Sequence, residues 1–331
     1  MPDVVLKEIL DFCDLKSIFT LRKVCYNLYN FIDTVVPNSH LTDIEITFTT
    51  QSILLSITSS HGKPVSINYL NSSGGCVLTT KTRKVSFDDV DFIKVFLTDF
   101  EFILRYQKSV LNSFRLDWSD GSQKKCKTEQ RISTVTRFFQ NLEVTLEKYQ
   151  LRVEDIVLEI KEHEFIKPLV SCIHPEKLQR IEISDPFGDL SILNLDEIVE
   201  LEQWKMAKEL SIFNIPVSSA IHSFAQFTRS NISMECISFV DLMKLKNAFQ
   251  NSATFLELIV NYRCFEDEEQ LDKHWGPRNC EAGRQYDFPR SRYYFEMPGL
   301  DGVLLLIIEP FEITFSRIEK LCVSENVCIR K

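Results

Sequence analysis

A rhythm of short apolar strands constrains this chain more than any other feature. Alternating apolar stretches contain Leu116, Leu158, Ile181, Leu210, Ile237 and Leu256, at intervals of 42, 23, 29, 27 and 19 residues. The long first interval holds a polar loop, SDGSQKKCKTEQ. The others fall near the roughly 20–29 residues that one leucine-rich repeat occupies. Helical patterns such as DEIVELEQWKMAKE and VDLMKLKNAFQ lie between the strands. A strand alternates every second residue and a helix about every 3.6, so this switching of period marks a succession of strand-plus-helix units. The usual leucine-rich consensus with its Asn is absent. The pattern predicts an irregular, leucine-rich-repeat-like α/β repeat region over 101–262.

The flanks read differently. IEITFTT, SILLSITS, VSINYL and CVLTT are β-branched or alternating, and HGKP and NSSGG separate them as turns, which predicts a small antiparallel meander. A long helix follows, with Phe92, Val95, Phe96, Phe100, Ile103 and Leu104 on one side. Together these make a strand-rich opening over 41–100. After the acidic run FEDEEQ come RYYFEMP, GVLLLIIEP and FEITFSRI, a strand-rich tail over 263–331.

In front stand three short helices. The first runs from Asp3 to Phe12, Asp14 is the expected N-cap of the second, and Leu21, Val24, Cys25, Leu28, Phe31 and Ile32 form a helical stripe. Pro37, with Asn38 and Ser39, ends this segment. The fold class is therefore α+β with α/β character. A helical unit of about 35 residues is too small to fold alone without a staple. Its stripe is expected to pack on the first helix and the start of the meander.

Composition narrows the function. The 331 residues carry a formal charge of −9 and 44% hydrophobic residues. Acidic chains are poor general binders of phosphate backbones, so no direct nucleic acid is expected. No apolar run reaches membrane-spanning length, so no membrane is expected either. Asp3, Lys7, Glu8 and Asp11 near the N-terminus speak against a signal peptide. Ten scattered Cys without a C-x-x-C pair point to a reducing compartment, the cytosol or nucleus. Nine Gly form no phosphate-binding motif, and His163-Glu164 fails H-E-x-x-H because Lys167 stands where the second His belongs. No nucleophile, base, metal ligand or cofactor site is nominated.

The first residues, MPDVVLKEILDFCDLKSIFTLRKVCYNLYNFID, resemble an F-box. Met1-Pro2, Ile9-Leu10, Asp14-Leu15 and Leu21 with Val24-Cys25 carry the match. Leu28 stands where many F-boxes have Trp, and Val4 where Glu is frequent. The remainder resembles the FTH domain that follows such F-boxes in a large nematode family, in KVFLTDFEFILRYQKSVLNSFRLDW, IEISDPF, DEIVELEQWKMAKELSI, NYRCFEDEEQL and FSRIEK. The expected domains are an F-box over 1–36 and an FTH-like substrate-binding domain over 41–331.

The resemblance implies a non-catalytic substrate adaptor of an SCF-type ubiquitin ligase. The F-box would bind a Skp-type adaptor protein and, through it, a cullin core, while the second domain binds a target protein. Pro2, Val5, Leu6, Ile9 and Leu10 are the expected adaptor-facing set. A second reading is a binding regulator outside the ligase, for example one that sequesters an RNA-binding protein. Period-two alternation turns Asp117, Glu159, Glu182 and Glu257 away from their apolar neighbours, with Ser211 between Glu182 and Glu257 in the series. These four acids are the expected target-binding stripe.

Overall fold

The computed structural model describes residues 3–60, 62–118, 129–186, 188, 191–218, 221–276, 279–281, 290–323 and 327–330. Two compact units divide it, Met1–Leu178 and Gln179–Lys331.

The first unit opens with three helices, α1 (Asp3–Asp11), α2 (Leu15–Arg22) and α3 (Tyr26–Val35). Asp14 caps α2 by accepting the Ser17 amide at 2.8 Å. The helical stripe expected from Leu21 to Ile32 is broken. The Lys23 and Val24 amides turn back to Thr20 and Leu21, and Cys25 is extended before α3 begins. Val24 and Cys25 consequently stand exposed instead of sharing a helix face with Ile32.

The meander follows as β1 (Leu41–Phe48), β2 (Ser52–Ser59), β3 (Val65–Ser72), β4 (Gly75–Thr79) and β5 (Lys84–Asp88). Each pairs antiparallel with the next. Gly75 is needed at the β3–β4 turn. Its φ is +134°, and a Cβ there would meet the Phe87 carbonyl oxygen at 2.1 Å. Helix α4 (Phe92–Arg105) buries Phe92, Ile93, Phe96, Phe100, Ile103 and Leu104. Tyr69 of β3 meets Phe96 edge-on at 5.6 Å, and its hydroxyl donates to Asp99 at 3.0 Å.

The chain then adds β6 (Leu111–Trp118) parallel to β1, α5 (Glu129–Tyr149) and β7 (Val153–Glu159) parallel to β6. The strand order of this unit is β5-β4-β3-β2-β1-β6-β7. Phe48 stacks on Phe138 of α5 at 3.9 Å, so α5 covers the sheet where β1 meets β6. A short helix, α6 (Ile166–Ser171), and a 3-10 turn, Pro175–Lys177, complete the unit.

The second unit contains β8 (Arg180–Ser184), β9 (Leu193–Asn194), α7 (Glu202–Met206), β10 (Glu209–Ser218), β11 (Arg229–Ser238), α8 (Phe239–Gln250) and β12 (Glu257–Glu266). Strands β8, β10, β11 and β12 form a parallel ladder in that order, and β9 pairs with the far end of β10. Ser238 and Asp241 form a reciprocal capping box at the start of α8. The helix expected through DEIVELEQWKMAKE is shorter. Leu201 is extended, with ψ of 142°, and only Glu202–Met206 is helical. After α9 (Gln270–Trp275) come β13 (Asn279–Glu281), β14 (Arg290–Glu296), β15 (Val303–Glu309), β16 (Glu312–Ile318) and β17 (Ile329–Arg330). Strand β16 joins β12 antiparallel, and β15 and β14 continue outward. Strands β13 and β17 both pair with β14. Among the described residues no helix is long and apolar enough to cross a membrane.

Candidate adaptor and target surfaces

The N-terminal helices keep little of their apolar surface inside. Leu10 is the one buried residue of α1. Twenty large apolar side chains are exposed among the described residues, and seven of them, Val4, Val5, Ile9, Phe12, Val24, Tyr26 and Tyr29, fall within the first 29 positions. Val5 and Ile9 are each 42% exposed and Phe12 is 80% exposed. Leu6 is half-buried, and Pro2 lies outside the described residues. Leu10, expected beside Ile9 on the adaptor-facing side, is instead fully enclosed. One residue along a helix is a rotation of roughly 100°, so Ile9 and Leu10 look in different directions, whereas Leu6 and Leu10, four apart, share a face. A cleft of about 600 Å³ between α1 and α3 is lined by Val4, Lys7, Asn27, Phe31 and Val35 among others.

Helices α2 and α3 also touch the C-terminal end of α4, through residues outside the apolar stripe. Phe19 of α2 meets Phe102 at 4.9 Å and Tyr106 at 5.6 Å. Arg22 grips Asp33 of α3 in a two-pronged ion pair at 2.6 and 2.8 Å, and the Tyr106 hydroxyl donates to the same carboxylate at 3.1 Å. The guanidinium also lies over the Tyr29 and Phe102 rings, at 4.2 and 5.0 Å. Arg105 donates to the Asp33 carbonyl oxygen at 3.1 Å. The Arg22 hydrogen bonds, ahead of the Tyr106 hydroxyl, hold the Asp33 carboxyl below the usual carboxylate range, although burial works against them. Arg22 is raised by the same pairing. Sequence reading missed this junction, because Arg22 and Asp33 look like ordinary polar positions on short helices.

The strand faces follow the expected alternation. Leu116, Trp118, Leu158, Ile160, Ile181, Ile183, Leu210, Ile212 and Leu258 are buried, while Asp117, Glu159, Glu182, Ser211 and Glu257 are half-buried between them. Leu256 departs from the pattern. It precedes β12 by one residue and is 37% exposed.

In the first unit Asp117 and Glu159 are direct neighbours across β6 and β7, with Glu45 on β1 close enough to act on Asp117. Burial first, then Glu159 and Glu45, push the Asp117 carboxyl up, and Arg115 offsets part of this. In the second unit the acids are interleaved with bases. Glu182 faces Ser211, and Glu257 faces Arg229 in a row that reads Arg180, Glu209, Arg229, Glu257 across four strands. Glu209 forms ion pairs with Arg180 at 3.3 Å and with Arg229 at 3.6 Å. The acidic character expected along the stripe is thus concentrated around Asp117 and is mixed at Glu257.

Comparison with known proteins finds two domain matches and a curated relative. A model of the F-box domain matches residues 1–40, and a model of the FTH domain matches residues 136–274. A curated relative, F-box A protein 224 of Caenorhabditis elegans, is 23% identical over 305 residues, covering 90% of this chain and 73% of its own length.

Proposed function

We propose that this chain, an F-box protein with an FTH domain, is the substrate-recognition subunit of an SCF-type ubiquitin ligase. The observation that carries the reading is the apolar surface of the first helices. Val4, Val5, Ile9 and Phe12 are exposed on a segment that buries only Leu10 in α1. Val5 and Ile9, four apart, share one face of α1, and apolar surface left exposed on a helix face marks an interaction site. Its occupant in this reading is a Skp-type adaptor, which links the chain to a cullin core in the cytosol or nucleus. Residues 1–36 serve the adaptor and 41–331 the target.

The chain makes no bond itself. Its contribution is to hold a target beside the conjugating enzyme, which turns a chance encounter into an effectively intramolecular step. Purified chain with adaptor is therefore expected to modify nothing until cullin core and conjugating enzyme are added, and ubiquitin should then reach the target. Transfer by the chain alone, lost on replacing one of its Cys, would overturn the reading. A target that binds but is never modified would favour a sequestering regulator.

For the target we propose the outward strand faces of the irregular, leucine-rich-repeat-like parallel strands of each unit. Asp117 and Glu159 of the first unit would receive a basic segment, and Glu182 and Glu257 are the proposed contacts of the second unit. Charge complementarity of this kind mainly aids association and specificity. Reversal of Glu159, Glu182 and Glu257 to Lys is expected to weaken target binding about 5–30-fold, equivalent to roughly one or two kcal/mol. Unchanged affinity at low salt, with the fold intact by circular dichroism, would remove the stripe as the recognition surface.

A further inference from the structure

The parallel strands β11 and β12 end in a cluster of metal-ligating side chains. Cys236 and Cys264 are register partners on the two strands. Glu266 follows Cys264 by two residues, which returns it to the same side of β12. All three are exposed, and their sulfur and carboxylate oxygen atoms lie within 4.8 Å of one another. Among the described residues this is the one group of three or more Cys, His, Asp and Glu with such spacing.

Zinc takes thiolate sulfur at about 2.3 Å and carboxylate oxygen at about 2.0–2.2 Å, which separates tetrahedral ligands by about 3.5–4 Å. Side-chain rotation on fixed strands is enough to close the remaining gap. Ser238 and Glu266 are the last residues of β11 and β12, so the cluster lies at the carboxyl ends of these two strands. Glu235, next to Cys236 in the chain, pairs with Arg263 at 3.4 Å. A thiol that coordinates a divalent cation loses its proton.

We propose that Cys236, Cys264 and Glu266 bind one zinc-class divalent cation, with water completing the tetrahedron. Binding exchanges two thiol protons, released to solvent, for two metal–sulfur bonds. The ion ties the ends of β11 and β12 together beside the start of α8, and so stiffens the parallel ladder.

The experiment titrates the full chain with Cd²⁺, after reduction with a phosphine and removal of metals, and follows the ultraviolet charge-transfer band of cadmium thiolate. The comparison is with Cys236→Ser combined with Cys264→Ser, and with Glu266→Gln. The wild-type signal in excess of the double variant should saturate at one equivalent. Glu266→Gln should weaken zinc competition for the site by at least the roughly 10–100-fold that even an outer-shell partner is worth. Zinc should raise the melting temperature of the wild type and not that of the double variant. Equal cadmium signals in the wild type and the folded double variant would overturn the proposal. So would a Cys236–Cys264 disulfide that forms under air and leaves the reduced protein without cadmium affinity.

Discussion

Replacing Val5 and Ile9 together with Asp is expected to abolish co-purification with the Skp-type adaptor and to leave the chain folded. Both side chains are already 42% exposed, so the fold of the free chain asks little of them. Full burial of an aliphatic side chain is worth about 1.5–3 kcal/mol, so burying the 42% still exposed is worth about 0.6–1.3 kcal/mol at each position. A carboxylate in its place adds a desolvation cost of at least similar size. The lost burial at two positions alone gives about 1–3 kcal/mol, or roughly one to two decades of affinity, and the desolvation cost adds to it. The readout is capture of the adaptor by full-length protein, with circular dichroism as the control for folding. Undiminished capture by the folded double variant would remove the F-box reading of these helices. Leu10 is left out of the design because it is fully buried, and changing it would confound adaptor binding with stability.

Much of the architecture is legible in the sequence because alternation and helical spacing report burial directly. The meander strands, the α4 stripe and the buried partners of Asp117, Glu159 and Glu182 all follow from period alone. Where reading fails, a tertiary contact or a backbone turn overrides the local pattern. The break at Lys23–Cys25 is invisible to a test that counts only apolar spacing, because Val24 and Cys25 fit the stripe of a helix that the backbone does not continue. Leu10 sits in an apolar run with Ile9, and only the direction of each side chain separates core from surface. The strand β5 hides in KVSFD, which sequence reading passes over beside the basic cluster KTRK.

The candidate surfaces divide along the same line. Parity identifies which acids turn outward, since it depends on one strand at a time. It carries no information on what lies alongside, so the arginines that flank Glu209 and face Glu257 appear only once strand register is known. The pairing of Cys236 with Cys264 is hidden for the same reason. Twenty-eight residues separate them in the chain, and parallel register makes them neighbours.

Asp33→Asn is expected to loosen the N-terminal helices from α4 and to lower the stability of the first unit by about 2–4 kcal/mol. The carboxylate holds both arms of Arg22 and the Tyr106 hydroxyl, and its side chain is only 22% exposed. Removing one partner of a fully buried pair costs about 3–5 kcal/mol, and partial exposure reduces that. The sign of the pH dependence follows from the depressed folded pKa. A carboxyl whose pKa is lower in the folded state contributes its full stabilisation above the unfolded value, near 3.9, and loses it as pH falls through the folded one. The wild type should therefore gain on the variant as pH rises to neutrality, and the two should converge in acid. Thermal unfolding across that range measures the difference. A melting temperature for Asp33→Asn equal to that of the wild type at pH 7 would show that Phe19, packed on Phe102 and Tyr106, holds the F-box in place without the ion pair.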